Sequence, residues 1–524
     1  MIHDLEKVGF AIEDADVCIV GAGAAGIFLA IEMARSGKKV LLLESGGRLE
    51  EPPTTDLYRS EVGTLPHKGI HEGRHRVYGG STIRWGGQIL ELFEHDFQSR
   101  QWIKGSGWPI SQHELTPYYE RALRLQGVAN VTRDDKEVWR EVGLSLCDLG
   151  DDLIPFFSRW CQEPNFTKLH GNELKMSNLL HVYLHANAIE LLLSEDNETV
   201  TGVRCRTLSG REKIFSAKNF VLCLGGIETI RFLLQPHANG HAPWNQNHWL
   251  GRHFQDHLDV YCAELIDIDT GCFYDFFDHI CRRGYRYEPR FRLTEAVQRR
   301  HGLLNVGGMV FFEDPPGAQR HQVWQTMKRL LRGRHQEISF KDMQILVGNL
   351  PTLLKQLARY KIQGRSYNPE SLVRFRLRAF CEQEPLGESR VSLSMDQDAL
   401  GQYRTRLDWK ISDLELRTLQ YFVYAVTESF AKLGLARVIP DADLMNHPEL
   451  FVSKVMDSYH HMGGTRMAAS SDNGFVDPNL KIFGTRNAFV CSSSVFPSSG
   501  FSNPTHTLLA LTCRLVEHLV SNNN

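Results

Sequence analysis

The sequence predicts an α/β protein in which a discontinuous Rossmann-like domain is joined to an α+β domain built on an antiparallel sheet. Three observations support this prediction. A glycine-rich turn connects an apolar strand to a helix near the N-terminus, a second such unit lies near residue 225, and short alternating segments follow residue 255. The 524 residues are enough for two domains around separate cores.

The first unit starts with the apolar run DVCIV at residues 16–20, which continues into GAGAAG at residues 21–26. In a G-x-G-x-x-G turn the first glycine permits the tight bend. The second lets the backbone approach a pyrophosphate, and the third lets the helix pack on the strand. The unpaired N–H groups at the helix start then attract the phosphate charge. The predicted cofactor contacts here are Gly21, Gly23, Ala24, Ala25 and Gly26.

A helical pattern and the strand KKVLLLE follow, and this strand ends at Glu44 and Ser45. An acidic residue about twenty residues after the glycines can accept hydrogen bonds from a ribose. A plain strand–helix–strand turn would leave Glu44 unexplained, so the unit predicts a dinucleotide site. The unit alone does not distinguish FAD from NAD.

The segment YGGSTIRWGG at residues 78–87 carries four glycines around Trp85. Such a run indicates backbone in close approach to a flat or charged group, whereas a surface loop would seldom place a tryptophan in its middle. The predicted contacts in this segment are Gly80, Ser81, Arg84, Trp85, Gly86 and Gly87.

A second buried strand and glycine pair occur at residues 219–234, NFVLCLGGIETIRFLL, where Gly225 and Gly226 are further predicted contacts. This unit returns the chain to the nucleotide sheet. We therefore predict a cofactor domain at 1–254 and 446–524, and a substrate domain at 255–445.

Composition excludes several classes of function. The net charge of −3 argues against nucleic acid as the main ligand. The first ten residues do not have the pattern of a secretory signal, and no run of about eighteen apolar residues predicts a spanning helix. The eleven cysteines are scattered singly, which predicts reduced thiols in the cytoplasm and no metal site.

Taken together, these motifs resemble the glucose-methanol-choline (GMC) oxidoreductases, which are FAD enzymes. The resemblance includes DVCIVGAGAAG, GGSTIRWGG, SGWPISQHELTPYYERA, GGIET, NHWLGRHFQDH, HHMGGTRM and the segment from GFVDPNL to NPTHTLLAL. These landmarks cover nearly the whole chain in the family's order. The form H-H-M-G-x-T-R-M resembles the branch of pyranose oxidases and sugar or glycoside dehydrogenases.

Alcohol oxidation requires a base for the hydroxyl proton and a donor that holds the substrate oxygen. Neutral imidazole suits the first task. The resemblance implies His460 as the base and Asn503 as its partner. A gap of one residue in the alignment would exchange His460 and His461, so both histidines remain candidates. His257 is expected to be structural, and His506 is expected to belong to the helix start, with a substrate contact as the alternative.

The resemblance also implies cofactor contacts at Ser493, Asn503, Pro504 and Thr505. The sequence departs from the family pattern at two positions that bear on cofactor binding. Arg84 occupies the place of the histidine that tethers FAD in some members, so noncovalent FAD is expected. Arg84 would either bring positive charge near the flavin or form a structural ion pair. The run Cys491–Ser494 lacks the acidic residue usual before the last helix.

Within the substrate domain, RVSLSM and YRTRLDW alternate as strands of an antiparallel sheet over the flavin, and a basic helical insertion is predicted around 320–380. One interpretation of the insertion is a solvated helical face or lid. The other is a contact for an anionic surface: a membrane, a lipid-linked or phosphorylated sugar, or an acidic partner. The basic residues concerned are Lys328, Arg329, Arg332, Arg334, Lys355, Arg359 and Lys361.

The sequence thus predicts an FAD-dependent oxidoreductase that converts an alcohol, as in a sugar, glycoside or polyol, to a carbonyl. Oxygen or another molecule would accept the electrons. Two alternatives remain open at this point: a non-redox flavin enzyme of the lyase type on the same scaffold, and a cofactor-bound interaction protein that uses its basic helices.

Overall fold

A computed structural model describes residues 1–7, 15–145, 147–237, 240, 242–245, 247–313, 319–331, 338–366 and 374–521. The helices in these ranges are α1 (Ala24–Arg35), α2 (Pro52–Asp56), α3 (Glu94–Phe97), α4 (Gln112–Leu125), α5 (Asp135–Glu141), α6 (Phe166–Leu169), α7 (Gly171–Met176), α8 (Gly226–Leu234), α9 (Thr270–Phe277), α10 (Glu295–His301), α11 (Arg320–Leu331), α12 (Phe340–Gly348), α13 (Leu350–Gln363), α14 (Asp413–Lys432), α15 (Ala442–Asn446), α16 (Pro448–Phe451) and α17 (Pro504–Ser521).

The strands are β1 (Ile2–Asp4), β2 (Ala15–Val20), β3 (Val40–Leu43), β4 (Glu61–Val62), β5 (Gln88–Ile89), β6 (Leu153–Trp160), β7 (Leu180–Leu184), β8 (Asn187–Leu193), β9 (Val200–Arg206), β10 (Glu212–Phe215), β11 (Ala217–Leu222), β12 (Leu258–Ile266), β13 (Ile280–Arg282), β14 (Tyr285–Leu293), β15 (Val306–Glu313), β16 (Arg374–Cys381), β17 (Arg390–Gln397), β18 (Tyr403–Asp408), β19 (Arg437–Pro440), β20 (Met456–Asp457) and β21 (Ala488–Val490).

The cofactor domain is built on a parallel sheet with strand order β1–β7–β3–β2–β11–β21. Its strands come from the beginning, the middle and the end of the chain. Nearly every residue of β2 and β3 is buried, as expected of central parallel strands covered on both faces. The predicted discontinuous Rossmann-like domain is confirmed.

Helix α1 packs unusually close to the turn that precedes it. A Cβ atom at Gly26 would lie 1.9 Å from the carbonyl oxygen of Gly21, so only glycine allows this approach. The predicted packing role of Gly26 therefore has a direct steric cause, and the start of α1 is fixed against the end of β2.

The second large sheet is antiparallel, with the order β19–β12–β16–β15–β14–β6–β5. Strand β14 alternates between its two faces. Phe291 packs against Phe422 of α14 on one face, and their ring centroids are 5.8 Å apart. Glu288, Arg290 and Arg292 therefore lie on the opposite face of β14, and all three are buried. The predicted α+β domain on an antiparallel sheet is confirmed.

Two details of this sheet differ from the sequence prediction. Strands β5 and β6 belong to it although they precede residue 255, so the sheet takes strands from both predicted domain ranges. RVSLSM and YRTRLDW lie in β17 and β18, which pair with each other, and β18 also pairs with β4 in a separate three-stranded sheet. The periodicity identified the strands, but it carries no information about their partners.

Helices α11, α12 and α13 occupy the basic insertion between β15 and β16. Arg332, Arg334 and the side chain of Lys328 lie outside the described residues, whereas Arg329, Lys355, Arg359 and Lys361 are described. Among the residues that the structure describes, no helix is long and apolar enough to cross a membrane.

Candidate active site

A cavity of about 670 Å³ opens at the carboxyl ends of β2, β3, β11 and β21. In parallel α/β sheets this edge is where ligands bind. The predicted residues that line the cavity are Gly21, Gly23, Ala24, Ala25, Glu44, Ser45, Gly80, Ser81, Arg84, Trp85, Gly86, Gly87, Gly225, Gly226, His460, His461, Ser493, Asn503, Pro504 and Thr505. Gly26 is not on the cavity wall.

The glycine turns provide space for a cofactor backbone. A Cβ atom at Gly23 or at Gly225 would meet no atom within 4 Å. Gly23 is the N-cap of α1, so the first unpaired N–H groups of that helix lie at the same end of the cavity. Open space beside helix N–H groups matches the needs of a pyrophosphate, and the residues present fit FAD.

Glu44 lies at the end of β3 with its carboxylate held by backbone donors. Its Oε2 accepts a hydrogen bond from the N–H of Ala22 at 3.0 Å, and its Oε1 accepts one from Gly46 at 2.8 Å. Burial raises the pKa of Glu44. The carboxylate is thus fixed at the cavity wall, where a ribose hydroxyl would find an acceptor.

Arg84 forms an ion pair with Glu50, and its side chain is 63% exposed. The ion pair considered from the sequence is therefore present, and Arg84 also lines the cavity. Trp85 donates its indole N–H to the carbonyl oxygen of Pro164 at 2.7 Å, which fixes the ring beside the cavity.

Sequence reasoning missed a buried charge cluster on the same wall. Glu228, in the first turn of α8, pairs with Arg76 and with Arg231, the latter at 2.9 Å. Arg74 lies 3.8 Å from the same carboxylate. Glu228, Arg74 and Arg76 line the cavity. The two arginines lie just before the YGG turn, where no motif distinguishes them from surface arginines.

His460 and Asn503 meet at the cavity wall. The Nδ2 atom of Asn503 lies 3.0 Å from Nε2 of His460. An amide N–H is a donor, so Nε2 is the acceptor and the proton of the neutral ring is on Nδ1. Nδ1 in turn lies 2.9 Å from Nδ1 of His257 and 3.0 Å from Oγ of Ser458.

Asp256 has a fully buried carboxylate that holds the segment from Ser458 to His460 in place. Its Oδ1 accepts hydrogen bonds from the backbone N–H of His460 at 2.9 Å and from the hydroxyl of Ser458 at 3.0 Å. Between them, Tyr459 has a left-handed backbone with φ of 62°, which costs about 1 kcal/mol or more. Asp256 holds both flanking residues and so stabilises the turn that directs His460 toward Asn503.

His257 contacts His460 directly, which the sequence did not predict. Its ring is fully buried, and burial lowers its pKa. A neutral His257 can accept the Nδ1–H of His460. The D-H pair in FQDH carried no sign of this role, because the contact joins residues 203 positions apart.

His461 points away from Asn503, toward His67 and Asp256. His67, Asp256 and His461 place metal-type donor atoms within 4.8 Å of one another. However, Nδ1 of His67 accepts the N–H of Ile70 at 3.2 Å, so its proton is on Nε2, which lies 3.2 Å from Oδ2 of Asp256. Oδ2 of Asp256 also lies 3.9 Å from Nε2 of His461, so this buried carboxylate lies between two imidazole rings.

The remaining predicted residues lie next to the His460–His461 segment or at the start of α17. Ser493 donates its hydroxyl to the carbonyl oxygen of His461 at 2.6 Å. A Cβ atom at Gly226 would lie 2.4 Å from the same carbonyl oxygen. Pro504 and Thr505 begin α17. His506 is buried in that helix, and its Nδ1 bonds with Oε1 of Gln126 at 2.8 Å.

Burial is the largest cause of the unusual histidine pKa values. Together with the neighbouring His257, it lowers the pKa of His460 to about 3. It also lowers the pKa values of His461 and His506 to about 3. At neutral pH these rings are uncharged, and Nε2 of His460 carries the lone pair that a base requires.

The buried histidines predict acid-sensitive stability. His257, His461 and His506 have lowered pKa values in the folded protein, so unfolding takes up protons below pH ~6.5. For His461 and His506, whose pKa values are lowered to about 3, each ring should remove up to about 1.4 kcal/mol of stability per pH unit as the pH falls below ~6.5. Thermal denaturation followed by circular dichroism should therefore give a melting temperature that falls below pH ~6.5.

In a His506→Gln variant the melting temperature should fall less steeply with decreasing pH than in the wild type. The control is His447→Gln, at a histidine whose side chain is 62% exposed, and its melting temperature should change with pH as in the wild type. An unchanged melting temperature between pH ~6.5 and ~4.5 would contradict the prediction.

Comparisons with known proteins match two parts of the chain to family models. Residues 385–512 match the family model "GMC oxidoreductase", and residues 16–51 match "FAD binding domain". The 2-methyl-1,2-propanediol dehydrogenase of Mycolicibacterium austroafricanum is 21% identical over 97% of this chain and 95% of its own length. Paromamine 6'-oxidase of Streptomyces fradiae is 22% identical over 95% and 90%.

Among solved structures, formate oxidase of Aspergillus oryzae RIB40 superposes with a TM-score of 0.59 at 16% identity, covering 98% of this chain and 99% of that one. At this identity the superposition supports the fold. The prediction of FAD and the resemblance stated from the sequence motifs are confirmed.

Proposed function

We propose that this FAD-dependent alcohol oxidoreductase of the GMC type oxidises a hydroxyl group of a sugar, glycoside or polyol, with His460 as the base and Asn503 as the oxygen-binding donor. The observation that carries the assignment is the 3.0 Å contact between Nε2 of His460 and Nδ2 of Asn503 on the cavity wall. A substrate hydroxyl that approaches both atoms from the cavity and displaces the hydrogen bond between them would give its proton to Nε2 and accept a hydrogen bond from Nδ2.

The lone pair of His460 would take the hydroxyl proton at Nε2. The proton already on Nδ1 keeps its acceptors, His257 and Ser458, so the ring stays oriented while it becomes positively charged. The Asp256 carboxylate, bound to the backbone N–H of His460, supplies a nearby negative charge that stabilises the imidazolium.

Asn503 would donate an N–H to the substrate oxygen as negative charge develops on it. A preorganised donor of this kind favours the transition state over the ground state, because the charge is larger there. Asn503 precedes Pro504 at the start of α17, so a helix with a buried face fixes its position.

FAD would be held by the turns at Gly23 and Gly225, by Glu44, and by the segment around Trp85. When bound, FAD supplies the acceptor for the hydride that leaves the substrate carbon. Arg84 stands where a tethering histidine would stand, and arginine forms no such link, which favours noncovalent FAD.

Two observations support a polar, hydroxylated substrate. Gln88 lines the cavity and donates to Oγ of Ser158 at 2.7 Å and to Oε2 of Glu288 at 3.0 Å. This polar wall suits a ligand with several hydroxyl groups. One relative is named for a propanediol and the other for paromamine. Oxygen or another molecule would re-oxidise the flavin.

A reducing, cytoplasmic setting is part of the proposal. All eleven cysteines are free thiols, and most of them are buried. Burial raises the pKa of Cys161 and of Cys513 to about 12, which makes these two thiols unreactive. Such cysteines are typical of proteins that fold in the presence of cellular reductants.

The proposal is tested by anaerobic mixing of the holoenzyme with a panel of free sugars, glycosides, aminoglycosides and simple polyols. Loss of the oxidised flavin absorbance with one or more of them is the expected result. Failure of every hydroxylated compound to bleach the flavin would overturn it. Re-oxidation of the bleached enzyme by air then identifies whether oxygen is the acceptor.

His257 is proposed as a positioning residue, and its replacement gives a separate prediction. His257→Leu removes the acceptor for Nδ1–H of His460, so flavin reduction should slow by about tenfold. His257→Asn retains a carbonyl acceptor and should recover most of the rate.

The measurement is the limiting rate of flavin reduction in stopped flow, with the half-saturating substrate concentration as a second readout. A purely structural role would change FAD content or melting temperature equally in both variants. Equal rates for His257→Leu and wild type would contradict the assignment.

A further inference from the structure

The helical insertion presents apolar side chains to solvent on the side away from its own small core. That core consists of Val323 of α11, Ile345 of α12 and Leu353 of α13. On the outer side, Phe340 is 80% exposed, Val347 62% and Leu354 57%. Large apolar side chains exposed together, rather than singly, indicate a surface that is covered in use.

These side chains form one stripe. Met343, Val347, Leu350, Leu354 and Leu357 are exposed and follow one another at steps of four, three, four and three residues. Such spacing places them along one face of the consecutive helices α12 and α13. Helices α12 and α13 therefore have two apolar faces, one packed on the core of the insertion and the other exposed to solvent.

The charges beside the stripe are almost all positive. Lys341, Lys355 and Lys361 are exposed on the same two helices. Within the described residues 338–366 the sequence contains one acidic residue, Asp342. Its carboxylate accepts hydrogen bonds from Ser339 and from Gln322, the latter at 2.7 Å, so it is occupied in capping α12.

The insertion is anchored at one end to the substrate domain. Arg365 is 5% exposed, and it donates to the carbonyl oxygen of Asp278 at 3.1 Å. The N–H of Cys281 donates to the carbonyl oxygen of Gly364 at 2.7 Å. Helices α12 and α13 are thus attached firmly where α13 ends, and a ligand on their outer face would be held against the whole domain.

We propose that α12 and α13 lie in the surface layer of an anionic lipid membrane, with the apolar stripe among the acyl chains and the lysines at the headgroups. An in-plane helix with Phe and Leu on one face and Lys beside it is the pattern of interfacial membrane binding. Lysine stems can extend to the headgroups while the stripe is buried.

The side chains of the stripe favour a lipid membrane over a second copy of the chain and over a different protein partner. A second copy of the chain would bring the lysines of both copies together, which is unfavourable. A protein partner would need hydrogen-bonding groups to fix its register. The five stripe residues offer only aliphatic and thioether side chains, and a lipid bilayer requires nothing more. This proposal is independent of the chemistry assigned to His460.

Flotation of the full-length holoenzyme with lipid vesicles tests the proposal. The enzyme should float with phosphatidylcholine vesicles that contain phosphatidylserine, and high salt should weaken binding because it screens the lysines. It should bind vesicles of phosphatidylcholine alone less strongly.

Two variants separate the apolar and charged contributions. Leu350→Ser/Leu354→Ser/Leu357→Ser should lower the partition coefficient by at least about tenfold. Lys341→Gln/Lys355→Gln/Lys361→Gln should lower it on anionic vesicles and remove the salt dependence. Met395→Ser, at a methionine that is 91% exposed elsewhere on the surface, is the matched control and should bind like the wild type.

FAD content and circular dichroism report whether each variant folds. Should the leucine variant misfold, hydrogen exchange of the wild type replaces it, and added vesicles should protect residues 340–363. The proposal is overturned if the wild type does not float with anionic vesicles, if a folded leucine variant floats equally well, or if protection lies elsewhere. Concentration-dependent dimerisation that the leucine substitutions abolish would assign the stripe to a second copy and would also overturn it.

Discussion

Replacement of His460 by alanine is expected to slow reduction of the bound flavin by an alcohol by about 10²–10⁴-fold. The substitution removes the Nε2 lone pair that faces Asn503 and leaves no other base in contact with that amide among the described residues. Stopped-flow absorbance under anaerobic conditions measures the rate directly. FAD should stay bound, because the contacts assigned to the cofactor lie mainly on the glycine turns and Glu44.

The neighbouring histidine is the natural control. His461 lies toward His67, and their ring centroids are 5.6 Å apart, whereas His460 lies beside Asn503. His461→Gln should therefore retain a reduction rate much closer to that of the wild type. Fast reduction by His460→Ala together with slow reduction by His461→Gln would reverse the assignment, as a shift of one residue in the sequence alignment would imply.

Local spacing made the cofactor domain predictable. The turn at Gly21 to Gly26 and the acid at Glu44 work within one strand–helix–strand unit, so their order along the chain is sufficient to identify them. The return of the chain to the same sheet was also predictable, since the second glycine pair follows an apolar strand.

Pairing between distant segments was not predictable in the same way. Strands β17 and β18 showed a clear alternation, but nothing in it specified β4 as the second partner of β18. Strands β5 and β6 likewise joined the antiparallel sheet from the earlier part of the chain. Register and partner choice depend on which faces are buried together, and that information is distributed over the whole fold.

The surroundings of the base illustrate the same limit. His460 and Asn503 lie in motifs that single them out. The roles proposed for Asp256 and His257 depend on contacts with residues about two hundred positions away. Their role became visible only when the fold brought the two segments together.

Asn503 gives the second large expected effect. Asn503→Leu preserves much of the side-chain volume but removes the N–H donor that faces Nε2 of His460 at 3.0 Å. Loss of one donor to a developing oxyanion costs about 10²–10³-fold in rate, so flavin reduction should slow by that amount. The half-saturating substrate concentration should change less, because the donor acts most strongly in the transition state.

The shape of the side chain and its hydrogen-bond donor can be separated at this position. Asn503→Asp keeps the shape but has no N–H, whereas Asn503→His retains a donor. If donation to the substrate oxygen is the function, the aspartate variant should be as slow as the leucine variant and the histidine variant should be faster than both. The negative charge of the introduced carboxylate would raise the pKa of His460, so the rates should be compared at alkaline pH, where that ring is neutral. A fast aspartate variant under those conditions would mean that Asn503 fills space beside the base without stabilising the oxygen.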